Sequence, residues 1–386
     1  MGRVYLDNNA TTFPLPEVAE AVARALRLGG NPSSAHASGR AARALLADSR
    51  DAVAALLGVP PSEVVFTSGG TEANNLAVIG GARAAVEEGL SPHVVISSVE
   101  HPAVDEAAAR LAREGFRVDR ASPERASGGP DPPVEGRVTD RTALVAVMLL
   151  QNETGALHEV REIFAAVRAR APRARLHVDA VQALGKVRFS PQDLHADTVA
   201  VSAHKVHGPK GIGALWSRAG REPFPRSHGG SQERGLRTGT ENVPGAAGFA
   251  AAAAAFGARG AEWRERVARV GAILEDGLLA LPGARLNGPP RPRRHAGTLN
   301  VSFDGVRGDL LLMALDGEGV DVSTGSACAS GAPVPSRVLR ALGLSEERAR
   351  GAVRFSAGAL TTEDEARAAV DAVRRLLPRL ADAAIR

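Results

Sequence analysis

Short runs rich in β-branched residues recur along the first half of the chain: VVFTS at 64–68, PHVVISS at 92–98, ALVAVML at 143–149, RLHVDA at 175–180 and TVAVSAH at 198–204. Between them lie stretches in which apolar positions return every three or four residues, such as AARALLADSRDAVAALL at 41–57 and HEVREIFAAVRARA at 158–171. Continuous apolar runs predict strands buried on both faces, and the longer spacing predicts amphipathic helices packed over them. Their alternation predicts an α/β fold built on a mostly parallel sheet. In such sheets ligands bind beyond the carboxyl ends of the strands. The polar residue that ends each strand is therefore the place to look for chemistry.

After residue 245 the pattern changes to a long Ala-rich helix reaching Leu279, then short strands (TLNVSF, VDVS, VRFSAG) and two C-terminal helices. This predicts a second, smaller α+β lobe completed by the N-terminal residues, with the large domain at 15–255 and the small one at 1–14 and 256–386. A chain of 386 residues also exceeds the roughly 250–300 residues at which a single core stops growing. No apolar run reaches the roughly 18–20 residues a membrane span needs. The opening MGRVYLDNNATTFP lacks a basic segment followed by an apolar one, so the expected location is cytoplasmic.

The formal charge is +4, and no basic run is interleaved with aromatic residues, so no nucleic-acid surface is expected. A single cysteine, Cys328, excludes an intrachain disulfide and a multi-cysteine metal site, and no metal is expected. Lysine changes the picture more. Only Lys186, Lys205 and Lys210 occur among 47 basic residues, the other 44 being arginine. Arginine replaces lysine as a surface charge but cannot form a Schiff base, which makes a retained lysine a candidate for amine chemistry.

The strand ends supply the partners. VVFTS runs into SGGTEANN, where Gly70 and Thr71 at a helix start form either a phosphate cup or an ordinary glycine turn with a cap. His101 follows the second strand; Asp179 ends another, with Gln182 three residues on. A buried carboxylate can keep a pyridine nitrogen protonated, and an imidazole over the ring can move protons. TVAVSAHKVHGPKG then delivers Ser202, His204 and Lys205 in succession: a hydroxyl and an imidazole suited to phosphate, and an amine suited to an aldehyde.

Together these residues resemble the class V aminotransferases, a family of fold-type I pyridoxal phosphate (PLP) enzymes, and more narrowly the cysteine desulfurases of the NifS/IscS type. The motifs carrying the resemblance run nearly the whole chain: LDNNATT, GNPSSAH, TSGGTEANN, VEHPAV, QNETG, HVDAVQ, SAHKVHGPKG, RTGTEN, LNVSF, STGSACAS and VRFSAG. The resemblance implies a large domain with a seven-stranded sheet, Lys205 as the Schiff-base lysine, Asp179 on the pyridine nitrogen and Gln182 on the ring hydroxyl. Gly70, Thr71, Ser202 and His204 would hold the phosphate, completed by Thr240 from the other subunit of a homodimer. His101 would stack on the ring and relay protons. Asn152 would lie beside the cofactor and, with Arg354, bind the substrate carboxylate, a task suited to a planar guanidinium.

A lone cysteine is ordinarily a buried hydrophobe. Cys328 instead lies in STGSACASGAP, a run of small residues. The resemblance implies that its thiolate takes the sulfur of L-cysteine as a persulfide, leaving alanine, and passes it to a sulfur-acceptor protein such as an iron–sulfur scaffold. The competing readings are a selenocysteine lyase or a small-substrate aminotransferase on the same PLP site, and a non-catalytic PLP-binding regulator, for which the chain has no residues left to form an appended module. SGGTEANN is not a nucleotide-binding P-loop, since no Gly-Lys-Ser/Thr follows.

Overall fold

The computed structural model describes residues 2–123, 132–324 and 335–384. Cys328 lies outside the described residues. The chain forms two compact units, one made of 13–149 and 159–259 and the other of 1–12, 150–158 and 260–386. The 37-residue helix Val243–Leu279, anticipated from its Ala-rich sequence, supplies residues to both.

The larger unit is built on a seven-stranded sheet in the order Val64–Thr67, Gly213–Ser217, Thr198–Ser202, Arg175–Asp179, Thr142–Met148, Ser91–Ser97, Arg117–Ala121. All pairings are parallel except those of Gly213–Ser217, which runs antiparallel to both neighbours. The central strands are buried at every position, as their unbroken apolar runs require. Helices cover them: Val78, Ile79, Val104, Ala107 and Leu111 pack with Val94, Ile96, Leu144 and Ala146 of the sheet. Helix Ala37–Leu57 starts where the His36 side chain accepts from the Gly39 amide and stops at Gly58, whose φ of 68° suits the left-handed end of a helix.

The smaller unit has a three-stranded antiparallel sheet, Ala284–Leu286, Thr298–Phe303 and Ala352–Ser356, and a short parallel pair, Val4–Tyr5 with Val320–Asp321. Leu274, Leu299, Val301, Phe303, Leu311, Val353, Phe355 and Val373 form its core. Where two C-terminal helices were expected, one 22-residue helix, Glu363–Ala384, follows the last strand, with Pro378 inside it. Its apolar stripe continues through the proline, so packing holds the helix past a residue that lacks an amide donor.

Candidate active site

In the larger unit, four elements bring polar groups to the carboxyl ends of strands of the seven-stranded sheet. After Val64–Thr67 the chain turns at Gly69, with φ 155° and ψ −178°, a conformation essentially closed to side chains. A helical stretch begins at Gly70 with no side-chain cap. A Cβ on Gly70 would fall 2.5 Å from Val181 Cγ2 and 3.6 Å from Ser202 Cβ, so only glycine permits this approach. Ser202 ends its strand with its hydroxyl buried and without a partner. Uncapped amides beside an unpartnered buried hydroxyl make a site for an anion, which an oxygen-rich phosphate would satisfy.

Asp179 ends the adjacent strand and is buried. Its Oδ1 accepts from the Val181 amide at 2.9 Å, and Oδ2 accepts from Asn74 Nδ2 at 2.8 Å. Burial pushes its pKa up, while His101, the Val181 amide, Asn74 and Lys205 pull the other way. A buried carboxylate with two neutral donors and nearby basic groups suits a cationic N–H such as a protonated pyridine. Gln182, also buried, accepts Lys186 Nζ on Oε1 at 2.6 Å, which orients its NH₂ as the group that can donate to a ring oxygen.

Lys205 is half-buried and closes a 3₁₀ turn, Ala203–Lys205, directly after Ser202. His204 beside it has its pKa lowered to about 4, first by burial and then by Lys205 and Lys210. It is thus neutral at pH 7. His101 caps the helix Pro102–Arg113, its Nδ1 accepting from the Ala103 amide at 3.0 Å, so the ring proton of the neutral form is on Nε2. The loop that carries it is fixed by buried Glu100, whose Oε1 accepts from Ser97 Oγ and the Met148 amide, each at 2.7 Å. Thr71 and Thr240 are exposed. These residues fit the aldehyde, pyridine nitrogen, ring oxygen and phosphate of PLP.

In the smaller unit, Arg354 is buried on the strand Ala352–Ser356. Its guanidinium donates to the Asn152 carbonyl at 3.1 Å and to Asp7 Oδ1 at 2.6 Å, leaving Nε buried and without a partner. Asp7, from LDNNATT, is a contributor that sequence reasoning did not single out.

Three other contributors were missed: Asn74, His177 and Thr198. His177 Nε2 lies 2.8 Å from Asn74 Oδ1, and its Nδ1 lies 2.9 Å from Thr198 Oγ. A signal existed for His177, since residues two apart on a strand share a face and Asp179 is two residues on. Asn74, 103 residues from His177 in sequence, gave none.

Among the described residues no cluster of metal ligands occurs, and no helix is long and apolar enough to cross a membrane.

The family model Aminotransferase class-V matches residues 4–368. A cysteine desulfurase of Trichormus azollae is 40% identical over 384 residues, 99% of this chain and 94% of that protein. A cysteine desulfurase IscS of Shewanella woodyi is 38% identical, over 98% of this chain and 94% of its own length. A solved structure described as a NifS-like protein is 35% identical with a TM-score of 0.89, covering 98% of this chain and all of the other.

Proposed function

The chain belongs to the class V aminotransferase family, and we propose on that premise that it is a cysteine desulfurase that binds PLP through Lys205 and stores sulfur on Cys328. The observation that carries the cofactor assignment is the convergence on adjacent strand ends of buried Asp179, the unpartnered hydroxyl of Ser202 and the turn bearing Lys205. Identity of about 40% with cysteine desulfurases over nearly the whole chain supports the reaction.

When bound, PLP supplies an electron sink for the pair released from the substrate's Cα–H bond. The residues of the chain do the rest. Asp179 accepts the ring N–H, Gln182 donates to the ring oxygen, and Gly70, Thr71, Ser202 and neutral His204 donate to the phosphate, with Thr240 contributed by the second subunit of a homodimer. Arg354, steadied by Asp7, takes the carboxylate of L-cysteine together with Asn152. His101 and the Lys205 amine move protons between the substrate's Cα, Cβ and sulfur. The Cys328 thiolate attacks the substrate sulfur, the S–S bond forms as the C–S bond breaks, and the electron pair stays with Cβ, which is protonated to give alanine. Cys328 keeps the sulfur as a persulfide for an acceptor protein; iron–sulfur assembly is one destination.

Incubation with L-cysteine, with alanine and sulfide quantified and adducts mapped by mass, tests this reading. Alanine should form with a one-sulfur adduct on Cys328, and Cys328→Ala should lose both while retaining the cofactor's colour. Alanine release by that variant at the parental rate removes the persulfide role, and an oxo-acid requirement without an adduct supports an aminotransferase.

A further inference from the structure

The polar groups behind Asp179 form a line. Asn74 and His177 are 1% and 0% exposed, depths at which polar side chains are retained only with their hydrogen bonds made. Each contact fixes the next. Asn74 Nδ2 donates to Asp179, so its Oδ1 is what faces His177. An amide flipped the other way would set its oxygen against the carboxylate. His177 Nε2 must therefore carry a proton and donate it. The ring is neutral, because burial drives its pKa down to about 3 against an upward pull from the Thr198 backbone; with its one proton on Nε2 for Asn74, Nδ1 is bare and accepts from the Thr198 hydroxyl. All three donors point one way, from Thr198 through His177 and Asn74 to Asp179.

We propose that His177 and Asn74 are positioning residues for the cofactor's ring nitrogen, forming with Thr198 a one-directional hydrogen-bond chain that dedicates the Asp179 carboxylate as an acceptor. Such chains polarise one another and strengthen the last link. With Oδ1 held by the Val181 amide and Oδ2 by Asn74, the carboxylate has both oxygens anchored before the ring arrives. Among the described residues the His177 ring hydrogen-bonds to no side chain other than Thr198 and Asn74, and an apolar trio would fill the same volume without needing partners. The inference rests on the assignment of Asp179 to the pyridine nitrogen.

Two measurements test it. Histidine ¹⁵N spectra of the cofactor-free full chain should show His177 with Nε2 protonated and Nδ1 bare, unchanged from about pH 5 to 8, where an ordinary imidazole titrates. An Nδ1-protonated or titrating ring overturns the chain. In the second, PLP affinity and the pH titration of the bound chromophore are compared for the parent, His177→Leu and His177→Gln. Leu should weaken PLP about tenfold, the scale of a hydrogen bond to a charged group, and displace the titration. Gln, whose amide can donate to Asn74, should restore both. Parental affinity and titration in a folded His177→Leu protein overturn the proposal. If that variant does not fold, Thr198→Val, which removes only the first donor, decides on the same readouts. An Asp179→Asn control without effect on either readout overturns the Asp179 assignment instead, and the tautomer remains legible in the cofactor-free spectrum.

Discussion

His177 shows what a single buried side chain does to the protein's response to acid. An ordinary imidazole protonates near pH 6.5, whereas burial holds this one neutral down to about pH 3. The unfolded chain therefore binds a proton in the window from pH 6.5 to 3 that the folded chain refuses. Stability from this group is intact above 6.5 and is lost as pH falls through the window, by about 2 kcal/mol at pH 5. His177→Gln cannot titrate. In urea unfolding of the cofactor-free proteins, the deficit of the variant relative to the parent should shrink by that amount between pH 7 and pH 5; a constant deficit would mean that the parent's ring meets protons while folded. At this scale the sequence was most legible where a polar residue ends an apolar run, as Asp179, Ser202 and Lys205 do. It was least legible for Asn74 and Asp7, whose partners His177 and Arg354 lie on other elements and exist only once the chain has folded.

Strands with long apolar runs and helices with a clear three-to-four-residue spacing were readable; two strands of the large sheet were not. Arg117–Ala121 carries three charged residues and forms the partly exposed edge of the sheet, where one strand face and one row of backbone groups meet solvent. Gly213–Ser217 is buried throughout, but its five residues follow the glycine-rich HGPKG turn and run against their neighbours, which alternation of strand and helix does not anticipate. The helix start at Gly70 carries its own prediction. In Gly70→Ala the new methyl meets Val181 Cγ2 at 2.5 Å, so the Val181 side chain, the helix start or the Asp179–Val181 turn must shift. Equilibrium dialysis should find PLP bound about tenfold more weakly, a displacement worth roughly 1.4 kcal/mol, while far-ultraviolet circular dichroism stays parental. Unchanged affinity would place the phosphate away from Gly70.

For the whole molecule, the division of labour between subunits is the property to measure. If Thr240 serves the phosphate of the neighbouring subunit, a chain carrying Lys205→Ala and a chain carrying Thr240→Asp are each inactive alone, the second because its carboxylate repels the phosphate. Unfolded together and refolded as a mixture, they should regain alanine formation, since a mixed pair assembles one site from intact parts. A mixture as inactive as its components would return Thr240 to its own chain.

The place of Gly213–Ser217 in the sheet has a consequence for the order in which the protein is made. Among the described residues the strand Val64–Thr67 pairs with no strand other than Gly213–Ser217, and a Cβ on Gly213 would lie 2.7 Å from Gly69. During synthesis from the N-terminus, the segment that becomes the Gly69–Gly70 turn waits for a ribosome to add well over a hundred further residues before its strand has a neighbour. A nascent chain halted short of Gly213 would hold Lys205 and Asp179 yet lack a seated cup, so retention of the yellow cofactor would mark the moment the sheet is closed.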